Sequence, residues 1–362
     1  MSTTMDLTGS DAVSWRRLRG TVRPAVAAAA GVLRRGAAGS SPSLATPLGA
    51  PPSGVGGEVV AWGSDADGQS SVPASLEGRT VVAVAGGSSH SVALTADGAV
   101  TAWGDASEGQ THVPRSLAGR KVTAIAAGSV HSLALASDGR VAAWGHDSRG
   151  QSSVPESLEG RTVVAVAAGG WHSVALTADG TVTAWGDNSE GQCDLPASLR
   201  GRTVTAIAAG GLHSLALTSD GTVVGWGYDV CWQASTPASL WGRPVATVAG
   251  GGLHSLALTA DGRVTAWGYG DHRQVDVPTS LVGRTVTAVA AGYYHSLVST
   301  SDGSVMAWGN GTDGQTRAPA SVRGRRVTAV AAGFHHSLAI VTPPTAAGPR
   351  RSGPGERSAA AS

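Results

Sequence analysis

Short runs in which apolar residues alternate with small or polar residues recur along most of the chain. In one copy near the middle, these runs cover residues 203–208, 213–218 and 222–226. Alternation with a period of two is typical of β-strands that bury one face. The pattern predicts three strands per copy. We expect a shorter fourth strand at residues 192–195, where the following Pro196 favours a sheet edge.

A polar break separates the second and third runs of each copy. In the same copy this break is Asp220 followed by Gly221. An Asp-Gly pair between two alternating runs is the strongest short-range signal for a β-hairpin, because a type I′ turn requires positive φ at both central positions. We therefore expect a type I′ hairpin at each of the six Asp-Gly pairs that separate the second and third runs.

The whole pattern returns every 41 residues without an insertion. A fixed period of this length is typical of repeat architectures, and four short strands in about 40 residues match one propeller blade. The sequence therefore predicts an all-β fold, a seven-bladed β-propeller. The residues that keep the period are prolines from Pro73 to Pro319 and the series Trp62, Trp103, Trp144, Trp185, Trp226, Trp267, Trp308 and His90, His131, His172, His213, His254, His295, His336.

The repeat array is cut in the middle of a copy at both of its ends. The last copy runs as far as Val341 and lacks the Asp-Gly pair and the tryptophan run, whereas the array opens with residues 57–63, which supply that missing run. We therefore expect residues 57–63 to pair with residues 336–341 and to complete the seventh blade. Closure of this kind leaves no open edge between the two ends.

The propeller is expected to span residues 57–341 of the 362-residue chain, with a tail on each side. Residues 1–56 place arginines on both sides of the alanine-rich run 24–33, which fits either a weak export leader or a basic disordered tail. Residues 342–362 are rich in Ser, Pro, Ala and Gly and are expected to be disordered. No apolar run approaches the roughly 18 residues that a membrane-spanning helix requires, so no membrane partner is expected.

The net charge of +1 conceals an uneven distribution. Residues 1–56 contribute +4 and residues 342–362 contribute +2, which leaves residues 57–341 at −5 with a single lysine, Lys121. Nucleic-acid binding requires a basic surface. The composition therefore argues against a nucleic-acid partner.

Residue types that could carry chemistry are spread over all copies. A catalytic or metal site needs one constellation of different groups, whereas a histidine in each of seven copies indicates a geometric role that all blades share. We expect the repeated tryptophans to fill space between blades, against small residues of the next copy. We therefore predict no enzyme activity, no catalytic residues, no metal and no cofactor.

Two cysteines, Cys193 and Cys231, occupy nearly equivalent loops of adjacent copies. A disulfide between them is expected only if the protein is exported, since free thiols are usual in a reducing cytosol. The disulfide and the location, secreted or cytoplasmic, both stay open at this point.

The departures from the repeat indicate where a partner binds. The loops after the first and third strands of each blade should emerge on one face of the disc, and these loops vary between copies; we call this the variable face. The Asp-Gly hairpins and Ser-Leu-x-Gly-Arg segments of the opposite face hardly vary. Clustered aromatic side chains on a rigid surface are typical of protein-binding hot spots. The predicted partner-binding residues are Trp171, Leu212, Tyr228, Trp232, Leu253, Tyr269, His272, Tyr293, Tyr294, Phe334 and His335.

These motifs permit a comparison with known families. The string Ala-Ala-Gly-x-x-His-Ser-Leu-Ala-Leu, followed by Asp-Gly and Ala-Trp-Gly, resembles the repeat of the regulator of chromosome condensation family over residues 57–341. The short period and the Gly-Gln-x-x-Val-Pro segment at residues 109–114 resemble the compact bacterial members of the β-lactamase inhibitory protein II type. The resemblance implies a seven-bladed propeller that acts by binding protein. The chain lacks the inserted wing with which the eukaryotic exchange factor contacts its GTPase.

Three functional hypotheses follow. The first is a non-enzymatic, monomeric module that binds a partner protein through the aromatic residues of the variable face. The second, which rests on the resemblance, is a secreted β-lactamase inhibitor. The third is a regulator of a small GTPase of the guanine-nucleotide exchange type, and the missing wing argues against it.

Overall fold

The computed structural model describes residues 56–342. The expectations for the two tails, including the choice between an export leader and a disordered segment, concern residues that lie outside this range apart from Gly56 and Thr342. None of the helices between these two residues has the length and apolar character needed to cross a bilayer.

The described chain consists of short β-strands and single-turn 3-10 helices. The strands are β1 (Glu58–Gly63), β2 (Val81–Gly86), β3 (His90–Thr95), β4 (Val100–Gly104), β5 (Val122–Ala127), β6 (His131–Ala136), β7 (Val141–Gly145), β8 (Val163–Ala168), β9 (His172–Thr177), β10 (Val182–Gly186), β11 (Val204–Ala209), β12 (His213–Thr218), β13 (Val223–Gly227), β14 (Val245–Gly250), β15 (His254–Thr259), β16 (Val264–Gly268), β17 (Val286–Ala291), β18 (His295–Thr300), β19 (Val305–Gly309), β20 (Val327–Ala332) and β21 (His336–Val341). The 3-10 helices are Ala74–Leu76, Arg115–Leu117, Glu156–Leu158, Ala197–Leu199, Ala238–Leu240 and Thr279–Leu281.

The strands form seven antiparallel sheets of three strands each, and these sheets are the blades of a propeller. Blades 1 to 6 use the strands in chain order, from β2-β3-β4 to β17-β18-β19, and blade 7 consists of β20, β21 and β1. The predicted fold class, an all-β propeller with seven blades, is confirmed.

The prediction of a fourth strand in each blade was wrong. In the copy where it was expected at residues 192–195, the chain turns instead and enters the 3-10 helix Ala197–Leu199 after Pro196. Its backbone bonds are local, since Asp194 N donates to Gly191 O at 3.0 Å and Leu199 N to Pro196 O at 3.0 Å. The segment thereby places the buried side chain of Leu199 between two blades rather than extending a sheet.

The ring closes as the sequence predicts. β1 pairs with β21 in antiparallel register, from Glu58 opposite Val341 to Gly63 opposite His336. Gly57 continues the contact toward blade 1, where it exchanges two backbone hydrogen bonds with Val81, at 3.0 and 2.9 Å. Strands from the two ends of the array therefore share blade 7 and join it to its neighbour.

Each junction between blades contains its own apolar core with one of the repeated tryptophans. Trp144 of blade 2 packs with Ala85, Val92 and Leu94 of blade 1. The indole N–H donates to the carbonyl of Gln110 at 2.8 Å, as a buried tryptophan requires. The interpretation as filler between blades is therefore confirmed for this side chain, but it faces the preceding copy rather than the next one.

The repeated histidines link neighbouring blades around the ring. Nε2 of His90 lies 3.0 Å from Oγ of Ser132, and that hydroxyl donates to the carbonyl of Gln110 at 2.9 Å. Because the hydroxyl hydrogen is used there, the serine oxygen accepts and the histidine carries its proton on Nε2. The corresponding pairs are His131–Ser173, His172–Ser214, His213–Ser255, His254–Ser296, His295–Ser337 and His336–Ser91.

The hairpins occur at the Asp-Gly pairs, but the predicted turn type was wrong. At the first pair Gly98 has φ of +89°, whereas Asp97 does not adopt a positive φ. Gly98 N donates to Thr95 O at 2.8 Å, and Thr95 N donates to Ala99 O at 2.9 Å. This is a three-residue loop, a type I turn followed by a left-handed glycine. The Asp97 carboxylate stabilises it by accepting from Thr95 Oγ1 at 2.5 Å.

Candidate functional site

The structure places the two variable loops of each blade side by side. The carbonyl of the residue before the histidine accepts from the first residue after the Trp-Gly pair. Examples are Asp187 N to Trp171 O at 2.8 Å and Tyr228 N to Leu212 O at 2.8 Å. The turns that are repeated from copy to copy meet at the other side of the disc, where Arg79 lies 2.6 Å from Asp97. The variable and opposite faces are therefore real surfaces of the fold.

Six aromatic and imidazole rings of blades 5 to 7 form one continuous group on the variable face, which we call the aromatic cluster. Neighbouring ring centroids are 4.0 to 6.1 Å apart, from Tyr269 and His272 at one end to Phe334 and His335 at the other. The Tyr293 and Phe334 rings stack at 4.0 Å with an interplanar angle of 17°. The cluster consists of Tyr269, His272, Tyr293, Tyr294, Phe334 and His335.

Two of the predicted binding residues are buried and offer no surface to a partner. Tyr293 is 1 % exposed and Leu253 is 0 % exposed. The Tyr293 ring lies against Gly252 of blade 5, where a Cβ would come within 2.4 Å of Cδ2, and against Phe334 of blade 7. Tyr293 therefore supports the cluster from below, while Tyr294, Phe334 and His335 are half-buried at the surface.

A second departure from the repeat lies in the loops of blades 4 and 5. Most copies have a glycine with positive φ before the glutamine of this loop, as at Gly191 with φ of +75°. Trp232 and Arg273 replace that glycine and still adopt φ of 65°. For a residue with a side chain, this conformation costs about 1–2 kcal/mol. The Trp232 side chain projects from this strained loop and is 72 % exposed.

The predicted residue Trp171 has a ring partner in the neighbouring blade. It meets His146 of blade 2 edge-on, with ring centroids 5.1 Å apart. His146 Nδ1 lies 2.7 Å from Glu108 Oε2, and Nε2 lies 2.5 Å from Ser148 Oγ. Sequence reasoning missed this arrangement, because His146 lies outside the repeated histidine position and its partners are 38 and 2 residues away.

A carboxylate, an imidazole and a hydroxyl in this order also occur in serine hydrolases. Such enzymes need N–H donors aimed at the developing oxyanion. Here the next two amides after the serine are used within the loop, since Arg149 N donates to Gln151 Oε1 at 3.0 Å and Gly150 N donates to Asp147 O at 2.9 Å. We interpret the array as the support that orients the Trp171 ring.

Tyr269 and Tyr293 keep their hydroxyl protons at neutral pH. Burial, followed by a hydrogen bond to Asp271, raises the pKa of Tyr269 to about 12. Burial and the contact with Tyr294 also raise the pKa of Tyr293, and the two hydroxyls lie 3.4 Å apart. At the surface, Tyr269 therefore presents a neutral phenol, a group that suits protein contacts.

The remaining candidate groups give no other site. Cys193 and Cys231 are free thiols, and burial followed by the nearby Asp187 raises the pKa of Cys193 to about 12. Within residues 56–342, no three His, Cys, Asp or Glu side chains come together as metal ligands. On the opposite face, Trp241 and Val282 are 74 % and 84 % exposed.

A family model for the RCC1-like domain matches residues 21–346 of the chain. The match includes every described blade and starts within the segment predicted to be a tail. No curated protein sequence matches the chain.

Several solved structures share the fold. Prp20p from Saccharomyces cerevisiae, described with its binding properties to Gsp1p and histones, is 20 % identical with a TM-score of 0.70 over 82 % of this chain and 94 % of that chain. Yeast RCC1 (Prp20) bound to Kap60 is 20 % identical with a TM-score of 0.70 over 87 % and 96 %. Human WBSCR16 is 21 % identical with a TM-score of 0.64 over 88 % and 100 %. At these identities the likeness concerns the fold alone.

Proposed function

Since this chain belongs to the RCC1-like domain family, we propose that it is a non-enzymatic interaction module whose variable face binds a partner protein. The contact residues we propose are the accessible members of the aromatic cluster, together with Tyr228, Trp232, Leu212 and Trp171. Leu253 and Tyr293 support this surface from below.

The conformation of Trp232 is the observation that carries the proposal. Five of the seven copies have glycine at this position, which adopts positive φ without strain. Trp232 keeps the left-handed backbone at a cost and exposes a large apolar ring. Strained residues that persist on a rigid scaffold are concentrated at ligand-binding sites. An exposed indole on a strained backbone is better explained by contact with another molecule than by packing within the propeller.

The surroundings of Trp232 fit a binding surface. The loop that carries it neighbours the aromatic cluster, since burial, followed by the nearby Asp271 carboxylate, raises the pKa of the Cys231 thiol. Both loops rise from blades whose cores are fixed by apolar contacts and buried hydrogen bonds. Rigid aromatic side chains bury large area with little loss of conformational entropy on binding.

The substitution Trp232→Gly separates binding from folding. Glycine restores the residue of most copies and removes the left-handed strain, so we expect the free energy of unfolding to rise by about 1 kcal/mol. Loss of a central indole anchor should weaken partner binding by about 2 kcal/mol or more, roughly thirtyfold. Urea denaturation measures the first effect, and calorimetric titration with the partner measures the second.

The partner is obtained by affinity capture with the full chain from a lysate of the source organism. Trp241→Gly is the matched control, because Trp241 is equally exposed but lies on the opposite face. We expect this control to retain the captured protein. If Trp241→Gly abolishes binding while Trp232→Gly and Tyr294→Ala retain it, the proposal has the wrong face.

Two narrower functions are distinguished by the same capture. Inhibition of a β-lactamase and nucleotide exchange on a small GTPase each require one particular partner, and no single contact of the variable face favours either. The resemblance to compact bacterial members likewise stays a prediction.

A further inference from the structure

A cavity of about 1010 Å³ lies on the outer rim of the ring, between blade 6 and the segment that leads to blade 7. One wall is residues 305–307 of β19, the outermost strand of blade 6. The facing wall is the segment 316–326, which contributes the apolar side chains of Ala318 and Val322. The cavity is therefore a groove that runs beside a strand.

β19 has a free edge on the side of the groove. It pairs with β18 from Val305 opposite Ser299 to Gly309 opposite His295, and the sheet ends there among the described residues. The facing segment does not extend the sheet, whose strand order ends at β19. Backbone bonds of this segment are local, such as those from Arg317 N to Gly314 O at 2.8 Å and from Arg323 N to Ala320 O at 3.0 Å. An edge strand presents unpaired N–H and C=O groups, which form a template for one more strand.

The rim of the groove is positively charged. Of the arginines that line it, Arg325 is neutralised by Glu58 at 2.7 Å, and the carboxylate of Asp302 is taken by Arg284 at 3.2 Å. Three further arginines have exposed side chains and no ion-pair partner within residues 56–342, so their charge is available to a ligand. These are Arg317, Arg323 and Arg326.

The three arginines are a departure of this copy from the repeat. The preceding copy has Asp276, Val282 and Thr285 at these positions, and no other copy has arginine at more than one of them. A smaller cavity of about 460 Å³ lies beside β13 of blade 4, where Thr236 Oγ1 donates to the edge carbonyl of Val223 at 3.0 Å. The groove thus recurs in the fold, but its charge is specific to the rim beside blade 6.

We propose that this groove binds an extended acidic peptide of a partner protein, which adds to β19 as a fourth strand. Main-chain hydrogen bonds supply affinity in such complexes, and alternate side chains supply specificity. The five residues of β19 span about 16 Å, so a peptide of similar length fits beside them. The chain's own tails do not suit the groove, because residues 1–55 and 343–362 carry +4 and +2.

The test uses the full chain and a fluorescein-labelled eight-residue peptide of alternating glutamate and valine. We expect fluorescence anisotropy to show binding that weakens with added salt, and hydrogen exchange to show slower amide exchange in residues 305–309 of the complex. The variant R317S/R323A/R326T places residues from other copies at the three positions, so it should fold. It should bind the peptide at least tenfold more weakly.

Three controls make the test decisive. The charge-matched variant R115A/R140T/R200A, which removes exposed arginines of other blades, should bind as the wild type does. A peptide with proline in place of one of its two middle valines should bind poorly, because proline cannot donate to a strand edge.

Equal binding of the proline peptide, or unchanged amide exchange in residues 305–309, would overturn strand addition. Equal binding by R317S/R323A/R326T would overturn the arginine site. Equal affinity for an eight-nucleotide oligothymidylate would show a general polyanion site and overturn the peptide assignment.

Discussion

The histidine of each blade is held by atoms of two blades, so its side chain adds a hydrogen bond between neighbouring sheets. His172 is fully buried, and its Nε2 lies 2.9 Å from Ser214 Oγ of the next blade. Gly169 leaves room for the ring, since a Cβ there would come within 2.2 Å of Cε1. The histidine, the serine and the glycine are therefore repeated together.

Replacing Ser214 by alanine should destabilise the fold. The change leaves the buried Nε2–H of His172 without an acceptor, whereas Gln192 O keeps its bond from Trp226 Nε1 at 2.9 Å. We expect the free energy of unfolding to fall by about 1–3 kcal/mol, measured by urea denaturation. The exposed Ser219 is the control, because other copies have alanine there and Ser219→Ala should change stability by less than about 0.5 kcal/mol. Equal stability of the two variants would contradict a role for the bond between blades.

At the residue level, the sequence predicted which side chains are structural better than it predicted which side chains are exposed. The period identified the structural histidines and tryptophans because every copy repeats them. It could not show that Tyr293 is buried, since that depends on Gly252 of the preceding blade leaving space for the ring. The contact between His146 and Glu108 crosses blades in the same way. Exposure of a loop side chain depends on its neighbours around the ring.

At the scale of elements, the positions of the hairpins were predicted correctly, but their turn type was not. An Asp-Gly pair is compatible with both a two-residue and a three-residue loop. The choice depends on Thr95, whose hydroxyl bonds the carboxylate of Asp97, and on the next copy, which packs on the turn. The absent fourth strand has a similar cause, since the Pro-Ala-Ser-Leu segment at residues 196–199 forms a 3-10 turn that buries its leucine.

Two glycines with positive φ should respond differently to substitution by alanine. Both have the left-handed backbone, with φ of +89° at Gly98 and +70° at Gly78. A Cβ at Gly98 would lie 2.9 Å from Lys121 Cα, whereas a Cβ at Gly78 has nothing within 4 Å. Gly78→Ala should cost about 1–2 kcal/mol for the conformation, and Gly98→Ala should cost more. Thermal denaturation measures both, and a smaller effect at Gly98 would contradict the packing of the hairpin on the next blade.

Removing β1 should open the ring. Without Glu58–Gly63, β21 loses its outer partner and the junction with blade 6 loses Trp62. We expect a lower melting temperature and aggregation through the exposed edge of β21, measured by scanning calorimetry and light scattering. The substitution Glu58→Ala removes only the exposed ion pair with Arg325 and should change stability by less than about 1 kcal/mol. If the deletion melts like the wild type, β1 does not close the ring.

For the whole molecule, the buried histidines should make stability depend steeply on pH. Burial lowers the pKa of all seven below the usual 6.5, to about 3 for His90, His172, His254, His295 and His336 and to about 4 for His131 and His213. Below pH 6.5 the unfolded chain therefore binds protons that the folded chain does not. The contribution of the neutral histidines to the free energy of unfolding is therefore fully present above pH 6.5 and is lost as the pH falls toward about 3.

Each histidine should lower the free energy of unfolding by up to about 1.4 kcal/mol per pH unit in this window. Urea denaturation at pH 7.5, 6.5 and 5.5 measures the effect. The aspartates of the hairpins do not interfere, because hydrogen bonds from Thr177 and Thr218 lower the pKa of Asp179 and Asp220 from 3.8, so their stabilisation is lost only below about pH 4. Unchanged stability between pH 7.5 and 5.5 would contradict the neutral, buried state of the histidines.

The shared seventh blade has a topological consequence. Because Gly57 bonds to Val81 and Glu58 lies opposite Val341, residues 57 and 341 are neighbours in space although they are the first and last residues of the array. Every other junction has the same apolar core and the same histidine–serine bond. A circular permutant that joins these two residues through a short linker and begins at another blade would contain every junction of the parent ring. The ring can thus be opened at another blade without losing any of the contacts that define the fold.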